Sequence, residues 1–423
     1  MNGSLAHFES DEYNAAIKVI EVLKDNGHLA YLAGGCVRDL LLGEEPKDFD
    51  VATDARPEQI DAYFRRTASV GAAFGVMLVR DFGQTIEVAT FRSDGVYSDA
   101  RRPDSIEFSS PEEDAQRRDF TINALFVDPL ADDEAHQIID FVDGVVDVHD
   151  RVLRAVGDPE DRLREDHLRA LRAVRFAARY ELEIEQRTKD AIRMHARQLS
   201  GVSIERIGQE VRKMLLHPSR TRACVLIDEL GLDDAIFGDV HPFDPSAMES
   251  LPETVSYPLA LVALAIGRGF KIGDDADAVC RRFRTALDLS NADRDGMRSI
   301  FDCLACFVNR WDGLSESQRK RLVARERAEE ALVILDALDR GKGAAIRSQI
   351  EQLAGRFGGI APKALVTGAD LIELGIAPGP AYKAILEAVY DEQLEGRIQT
   401  QPQAIAFVKE TVKQSENQNN MNR

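Results

Sequence analysis

The stretch GGCVRDLLLGEEPKDFDVAT, residues 34–53, decides how the chain is read. The glycine pair Gly34-Gly35 ends an apolar run, Leu29–Ala33, and opens a segment of helical spacing, Cys36–Leu42. Further on, Asp48 and Asp50 flank Phe49 and lead into Val51, Ala52 and Thr53. Read as a strand over Asp48–Thr53, residues two apart share a face, so both carboxylates project together while Phe49 and Val51 face the interior. Two adjacent carboxylates repel unless a cation lies between them. Magnesium suits them, a hard ion that combines a few carboxylate oxygens with substrate phosphates. An isolated Asp-x-Asp pair also fits a solvated turn, and the glycines upstream favour the first reading. Glycines between a strand and a helix let the backbone approach a phosphate, and the helix start offers unpaired N–H groups to an anion. Arg38 in the first turn of that helix opposes the helix dipole unless it binds something negative. Asp39 beside it reads as a capping or salt-bridge residue.

Working outward, the first ~150 residues alternate short strands with helices, an α/β pattern. Strands are expected at Leu29–Ala33, Asp48–Thr53, Val76–Asp81, Thr85–Phe91 and near Ile138–Phe141, with a helix after Pro57. VMLVRDFGQTIEVATF (residues 76–91) reads as a hairpin turning at Phe82-Gly83-Gln84, and it places Glu87 on an outward strand face. Glu87 is a candidate third acid, with a salt-bridge role as the alternative. From Arg92 to Asp114 the chain is polar and reads as a long irregular loop, the kind that is functional or disordered. From about Asp158 onward the apolar spacing is helical. Breaks near His217-Pro218, Gly238–Pro245 and Gly341-Lys342 suggest joints. The polar end, KQSENQNNMNR, is expected to be without structure.

A second constellation lies in REDHLRALRAVRFAARY, residues 164–180. It sets Glu165, Asp166, Arg169, Arg172 and Arg175 on what reads as one helix, with Leu171, Val174 and Ala178 as the packing face. Spacing of three makes the polar row spiral, so one ligand reaching all of it must cross the start of the helix. An Asp–Arg pair offers an acceptor beside a fork of donors, suited to a nucleobase edge, and further arginines suit phosphates. The alternative is an arginine-rich helix laced with i,i+3 ion pairs. Between the two constellations, RRDFTINAL reads as a buried element that carries Arg118 into a cleft.

The full chain has 423 residues, enough for two to four domains, with 44% hydrophobic and 30% charged residues. No stretch is apolar for long enough to span a membrane. The first residues have neither a basic start nor an apolar core, so no secretory signal is expected, and a cytoplasmic location follows. Five cysteines scattered over the chain suit a reducing compartment. The lone Cys303-x-x-Cys306 lies in apolar surroundings and reads as core, since it supplies half a zinc site at most. A formal charge of −20 argues against a uniformly basic nucleic-acid surface. The arginines crowd between Arg151 and Arg179, which points instead to a basic cleft in an acidic body.

Taken in order, GGCVRDLLLG…KDFDVAT, RRDFTINAL, EDHLRALRAVRFAARY and SIERIGQE resemble the motifs of class II CCA-adding tRNA nucleotidyltransferases and the related bacterial poly(A) polymerases. The resemblance is strong over about residues 28–220. The stretch VTGADLIELGIAPGPAYKAILEAVYDEQLEG is similar to a C-terminal segment of longer bacterial members. The resemblance implies an α+β nucleotidyltransferase head with a polymerase β-like mixed sheet, followed by an all-α neck, body and tail. Boundaries are expected at 1–155, 156–218, 219–340 and 341–423. It implies that Asp48 and Asp50 hold two catalytic magnesium ions. Gly34, Gly35 and Arg38 are then expected at the triphosphate and Arg118 at the nucleotide, while Asp166 and Arg169 read the base edges of CTP and ATP. Arg172 and Arg175 complete that site. Arg101, Arg102 and Asp104 match a flexible loop tied to the switch from C to A addition, and its full length here argues against a CC-only enzyme. The expected partners are the tRNA 3′ end, CTP and ATP. Poly(A) polymerase or A-only addition is the near alternative, and a non-catalytic RNA-binding protein the distant one. The doublet His149-Asp150 precedes the base-reading segment instead of lying in the helical half, so phosphohydrolase activity is not expected.

Overall fold

The structure is a computed structural model that describes residues 10–71, 75–94, 106–132, 137–238, 242–376, 378–379 and 381–421. Two compact units divide the chain, Met1–Val240 and His241–Arg423, so the expected break at Gly238–Pro245 falls on their junction.

The first unit is organised by a mixed seven-stranded sheet of order β3-β4-β5-β2-β1-β8-β9. Its strands are β1 (Ala30–Ala33), β2 (Val51–Thr53), β3 (Thr67–Gly71), β4 (Val76–Val79), β5 (Ile86–Thr90), β8 (Leu125–Val127) and β9 (Ile138–Asp140). All neighbours run antiparallel except β2 and β5, which pair in parallel through Val51↔Val88 and Thr53↔Thr90. Helix α1 (Asp11–Asp25) is capped by Ser10, whose side chain accepts from Tyr13 N–H at 3.0 Å. It packs behind the sheet, with Tyr13 edge-on to Phe49 at 5.4 Å. Helix α2 (Gly35–Leu42) ends at Gly43, whose φ of 77° is the left-handed cap geometry that stops a helix. Helix α3 (Pro57–Tyr63) starts at proline, as expected.

The strand expected over Asp48–Thr53 begins only at Val51. The expected alternation nonetheless starts earlier, with Phe49 and Val51 buried and Asp48 and Asp50 exposed. The lead-in is extended because Ala33 N–H bonds Asp50 O at 3.0 Å, so the aspartates sit at the mouth of the ladder instead of inside it. The segment Arg92–Asp114 is not irregular throughout. Strands β6 (Arg92–Asp94) and β7 (Ile106–Phe108) pair at its base, and helix α4 (Pro111–Gln116) closes it with Ser110 as cap. Arg101, Arg102 and Asp104 lie outside the described residues. RRDFTINAL is a buried 3₁₀ turn (Thr121–Asn123) running into β8, as its apolar pattern implied.

After α5 (Gly144–His149) and β10 (Val152–Leu153), helices take over. The expected single helix through Glu165 and Arg175 is in fact two, α6 (Pro159–Glu165) and α7 (Arg169–Arg179). Asp166 breaks it. With φ −154° and ψ 103° it caps α6, and its Oδ1 accepts from Leu168 N–H at 3.0 Å while its carbonyl accepts from Arg169 N–H. A short acidic side chain competes with the helix for backbone N–H groups, which is why the break falls there. Leu171, Val174 and Ala178 are buried as expected. Strand β11 (Glu183–Ile184) pairs with β10 and leads through α8 (Gln186–His195) to α9 (Ile204–Leu215). Helices α10 (Arg220–Glu229) and α11 (Asp233–Phe237) finish the unit.

The second unit is helical. Short α12 (Ser246–Glu249) precedes α13 (Tyr257–Gly267), which is buried on nearly every side, as an all-apolar helix must be. It packs on α15 (Asn291–Asn309), which follows α14 (Ala276–Leu287). Cys303 is buried in the core of α15, Cys306 is half-buried, and all five cysteines are free thiols. Helices α16 (Glu316–Val323), α17 (Ala328–Leu338) and α18 (Arg340–Ala354) follow. Gly341 and Lys342, expected at a joint, lie in the first turn of α18, whose cap is Asp339. Helices α19 (Gly368–Glu373), α20 (Ala381–Leu394) and α21 (Gln401–Met421) share a small core of Leu371, Ile385, Val389, Ala404 and Val408. The polar end, expected without structure, continues α21 to Met421. Gln, Glu and Lys are good helix formers extending an existing helix.

Candidate active site

Carrying the parallel β2–β5 register back one residue sets Asp50 beside Glu87, on the face opposite Val51 and Val88. Both line one cleft of about 620 Å³. Asp48, two residues before Asp50, is exposed on the same side, next to the cleft lining. The crowding shows in the acidity of Asp50. Desolvation by the cleft walls raises its carboxyl first, Glu87 and Asp48 raise it further, and Arg118 opposes them, leaving it at about 6. Glu87 is therefore electrostatically part of the acidic group. Among the described residues no three His, Cys, Asp or Glu side chains converge as a ready-made metal cage. An open set of crowded hard-oxygen donors fits a divalent ion that takes its remaining ligands from substrate phosphates and water.

Beside the carboxylates stands the glycine turn, since Ala33, just before Gly34, bonds Asp50 O. Gly34 has φ 72°, and a Cβ there would lie 2.8 Å from Arg118 Nη1, so both the backbone and the neighbouring guanidinium demand glycine. Arg118 is held by Asp114 at 3.0–3.1 Å and by Asn123 O at 2.9 Å, with its guanidinium over the Phe126 ring. Arg38 answers the expectation that it binds something negative in an unforeseen way. It is 6% exposed and donates to Asp39 Oδ1, Asn123 Oδ1 and the Tyr180 hydroxyl at 2.5–2.9 Å. It also lies over the Phe176 and Tyr180 rings. Arg38 touches the cleft, yet its donors tie α2 to α7. Asp39 is its salt-bridge partner, as read from the sequence.

The helical wall contributes Asp166, Arg169, Arg172 and Arg175, all lining the same cleft. The break at Asp166 is what lets them face it together. Each is held by a partner from elsewhere in the chain or from the preceding turn. Asp166 Oδ2 accepts from Arg206 at 2.6 Å; Arg169 binds Glu165 at 2.6 Å; Arg172 pairs with Asp119 at 2.6 Å; Arg175 with Glu210 at 2.6 Å. Burial alone would raise the Asp119 carboxyl. Arg172 and Asn123, with Arg169 behind them, outweigh it and bring the group down to about 2. Burial likewise raises Glu210 and Arg175 more than reverses it, so that carboxyl too is lowered. Arg117, Asp119, Arg206 and the buried Glu210 were not singled out for these roles. Arg206 and Glu210 lie inside SIERIGQE, a stretch whose signal was order along the chain and not chemistry. His149 and Asp150 lie at the exposed end of α5, 2.7 Å apart.

Comparison with known proteins matches this arrangement. Residues 30–154 match the profile of the "Poly A polymerase head domain", and residues 181–243 that of the "Probable RNA and SrmB- binding site of polymerase A". A "CCA-adding enzyme" of Levilactobacillus brevis is 33% identical over 401 residues, covering 93% of this chain and 97% of that protein. The chain belongs to the CCA-adding enzyme family. A CCA-adding enzyme of Geobacillus stearothermophilus is likewise 33% identical over 402 residues, covering 93% and 95% of the two chains. Among solved structures, a Bacillus stearothermophilus CCA-adding enzyme in complex with CTP superposes with a TM-score of 0.76 at 29% identity, over 97% of this chain and 100% of that one. A Thermotoga maritima CCA-adding enzyme complexed with tRNA shares the fold, with a TM-score of 0.70 at 19% identity over 96% of each chain. CCA-adding enzymes are nucleotidyltransferases that use divalent metal, and the nucleotidyltransferase head with a helical remainder expected from the motifs is the architecture found. No helix among the described residues is long and apolar enough to cross a membrane.

Proposed function

We propose that the cleft transfers nucleotides from CTP and ATP to the 3′ end of tRNA, building C, C and A without a nucleic-acid template. One observation carries the reading: a single cleft gathers the crowded carboxylates Asp50 and Glu87 with the Asp166–Arg169 acceptor–donor pair. Asp48 and Asp50 are the metal ligands in this reading, with Glu87 tuning their charge. Magnesium held by Asp48 and Asp50 would supply Lewis acidity toward the 3′-hydroxyl and the phosphates of the nucleotide. The backbone at Gly34 and Gly35, with Arg118 beside it, receives the triphosphate. Arg38 acts first by holding that turn against α7.

Base choice follows from hydrogen-bond polarity. Cytosine and adenine each present an amino donor beside a ring-nitrogen acceptor, whereas uracil and guanine present a carbonyl beside a ring N–H. An acceptor–donor pair from Asp166 and Arg169 complements the first two and opposes the others. Arg206 and Leu168 N–H hold the Asp166 carboxylate in place for that role. Arg172 and Arg175 complete the nucleotide site. The four-part division into head, neck, body and tail is part of this proposal.

The match to a poly(A) polymerase head keeps that activity, or A-only addition, as the second reading. One assay separates them. tRNAs lacking CCA, CA or A are offered labelled CTP and ATP separately. Incorporation of C on the shortest tRNA and of A only after two C residues is the expected result. Addition of A alone would overturn the full CCA assignment.

A further inference from the structure

Beside the catalytic cleft, and sharing Arg175 with it, lies a second pocket of about 250 Å³ lined by Lys47, Arg175, Arg179, Lys213 and His217. Lys47 directly precedes Asp48, so the pocket opens one residue away from the carboxylate pair. Its charge balance sets it apart. Along the cleft, Arg38 and Arg172 pair one to one with Asp39 and Asp119, while Arg118 shares Asp114 with Arg117 and Arg169 shares Glu165 with Arg162. In the pocket, Arg175 and Lys213 share the single carboxylate of Glu210, at 2.6 and 3.0 Å. Lys47 and Arg179 have no ion pair among the described residues, and Arg179 lies over the Tyr180 ring at 5.0 Å.

His217 reports the same excess. Its Nδ1 accepts from Ser219 N–H at 3.2 Å and lies 2.8 Å from Ser219 Oγ, which places the ring proton on Nε2. Burial lowers its pKa, and Arg179, Arg220 and Lys47 lower it further against Glu44, so the ring is a neutral donor in an already positive site. In a chain of net charge −20, four cations set against Glu210, with Glu44 as a further carboxylate acting on His217, form a local anion site. The cavity falls below the roughly 300–1,000 Å³ typical of small-molecule pockets, and so suits a phosphate group better than a whole nucleotide.

We propose that this pocket holds a backbone phosphate of the RNA acceptor strand, just behind the 3′-terminal nucleotide whose hydroxyl faces Asp48 and Asp50. The proposal rests on the nucleotidyl-transfer reading of the neighbouring cleft. Two observations favour RNA over a free phosphate or pyrophosphate. Lys213, His217 and Ser219 fall within the segment matched by the RNA-binding profile. Leu216, 40% exposed at the rim, offers apolar surface to a ribose or base, which a free anion does not use.

The test uses the full chain, a tRNA lacking its CCA end, and two variants, Lys47→Gln/Arg179→Gln and Arg179→Lys. In the double variant the Kd for tRNA without nucleotide and the KM for tRNA should each rise roughly tenfold. Their salt dependence should flatten, while KM for CTP and ATP holds. Arg179→Lys, which keeps the charge, should retain most of the affinity, and matched thermal unfolding shows that the fold is intact. Primers carrying one neutral methylphosphonate among the last three linkages should weaken wild-type binding at one position and leave the double variant unaffected there. A methylphosphonate loss equally large in the double variant would overturn the proposal. So would unchanged tRNA binding combined with weaker inhibition by pyrophosphate or phosphate, which would assign the pocket to a free anion. Wild-type incorporation of labelled CMP is scored separately. If that alone fails, the transfer reading falls, while the direct binding data still decide the pocket.

Discussion

The carboxylate wall of the cleft is built locally, whereas the arginine wall is built from afar. Asp48 and Asp50 are aimed by the alternation of a few extended residues, with Phe49 and Val51 buried behind them. Glu87 joins them through the register of one neighbouring strand. On the other wall, Arg172 depends on Asp119, Asp166 on Arg206 and Arg175 on Glu210, all far away in sequence. The first wall accumulates like charge, which a metal relieves. The second is already tied into ion pairs before any nucleotide arrives, some of them shared, as Arg175 and Lys213 share Glu210. In the proposed reading, chemistry is placed where charge is unbalanced, and selectivity where side chains are already immobilised.

The sharpest way to break this comparison is at the unbalanced wall. Asp50→Ala should lower kcat by roughly three orders of magnitude while the fold persists, because the lost group serves the transition state. Magnesium should raise the Tm of the wild-type protein but not that of the variant, as read by thermal unfolding. A modest kcat loss with metal stabilisation intact would move the chemistry elsewhere.

At the balanced wall the largest effect should be on stability. Asp119→Asn leaves the half-buried Arg172 without its counter-charge and should cost about 2 kcal/mol in urea unfolding at pH 7. The Asp119 carboxyl is lowered to about 2 from an ordinary 3.8, so its contribution is complete above about pH 4 and is lost as pH falls toward 2. That contribution is about 2 kcal/mol. The gap between wild type and variant should therefore narrow over that window, and a gap independent of pH would contradict the ion-pair account.

Selectivity should respond next. Asp166→Ala should reduce discrimination of CTP and ATP against UTP and GTP by about 10–100-fold in kcat/KM, the worth of one base-edge contact. Retained selectivity would remove Asp166 from base reading. The smallest effect should come from Tyr180→Phe, which takes one hydrogen bond from Arg38. About 1 kcal/mol of stability is expected to be lost with kcat nearly unchanged. A large kcat loss would give the α2–α7 clasp a direct part in catalysis.

Much of the site was legible in the chain because its signals are short-range. Two glycines before a helix, two aspartates with a buried residue between them, and an Asp–Arg spacing of three need only a few residues to be recognised. Glu87 was legible for the same reason, as an outward residue on a hairpin strand. The kink at Asp166 was not, since helical spacing continues through it and a capping hydrogen bond is worth less than the apolar pattern suggests. The partners of Arg38 were not legible, because Asn123 and Tyr180 are far off in sequence.

The sequence by itself determined the order of the elements, the face on which the carboxylates project and the residue types able to meet a nucleotide, all set by backbone periodicity and local sterics. Only the tertiary structure decided which cations are already paired and which remain available. Coulombic pairing depends on distance in space, and a chain of this net charge has many acidic partners for each arginine until folding selects one. Lys47 and Arg179 stand without an ion pair among the described residues only after that selection has been made.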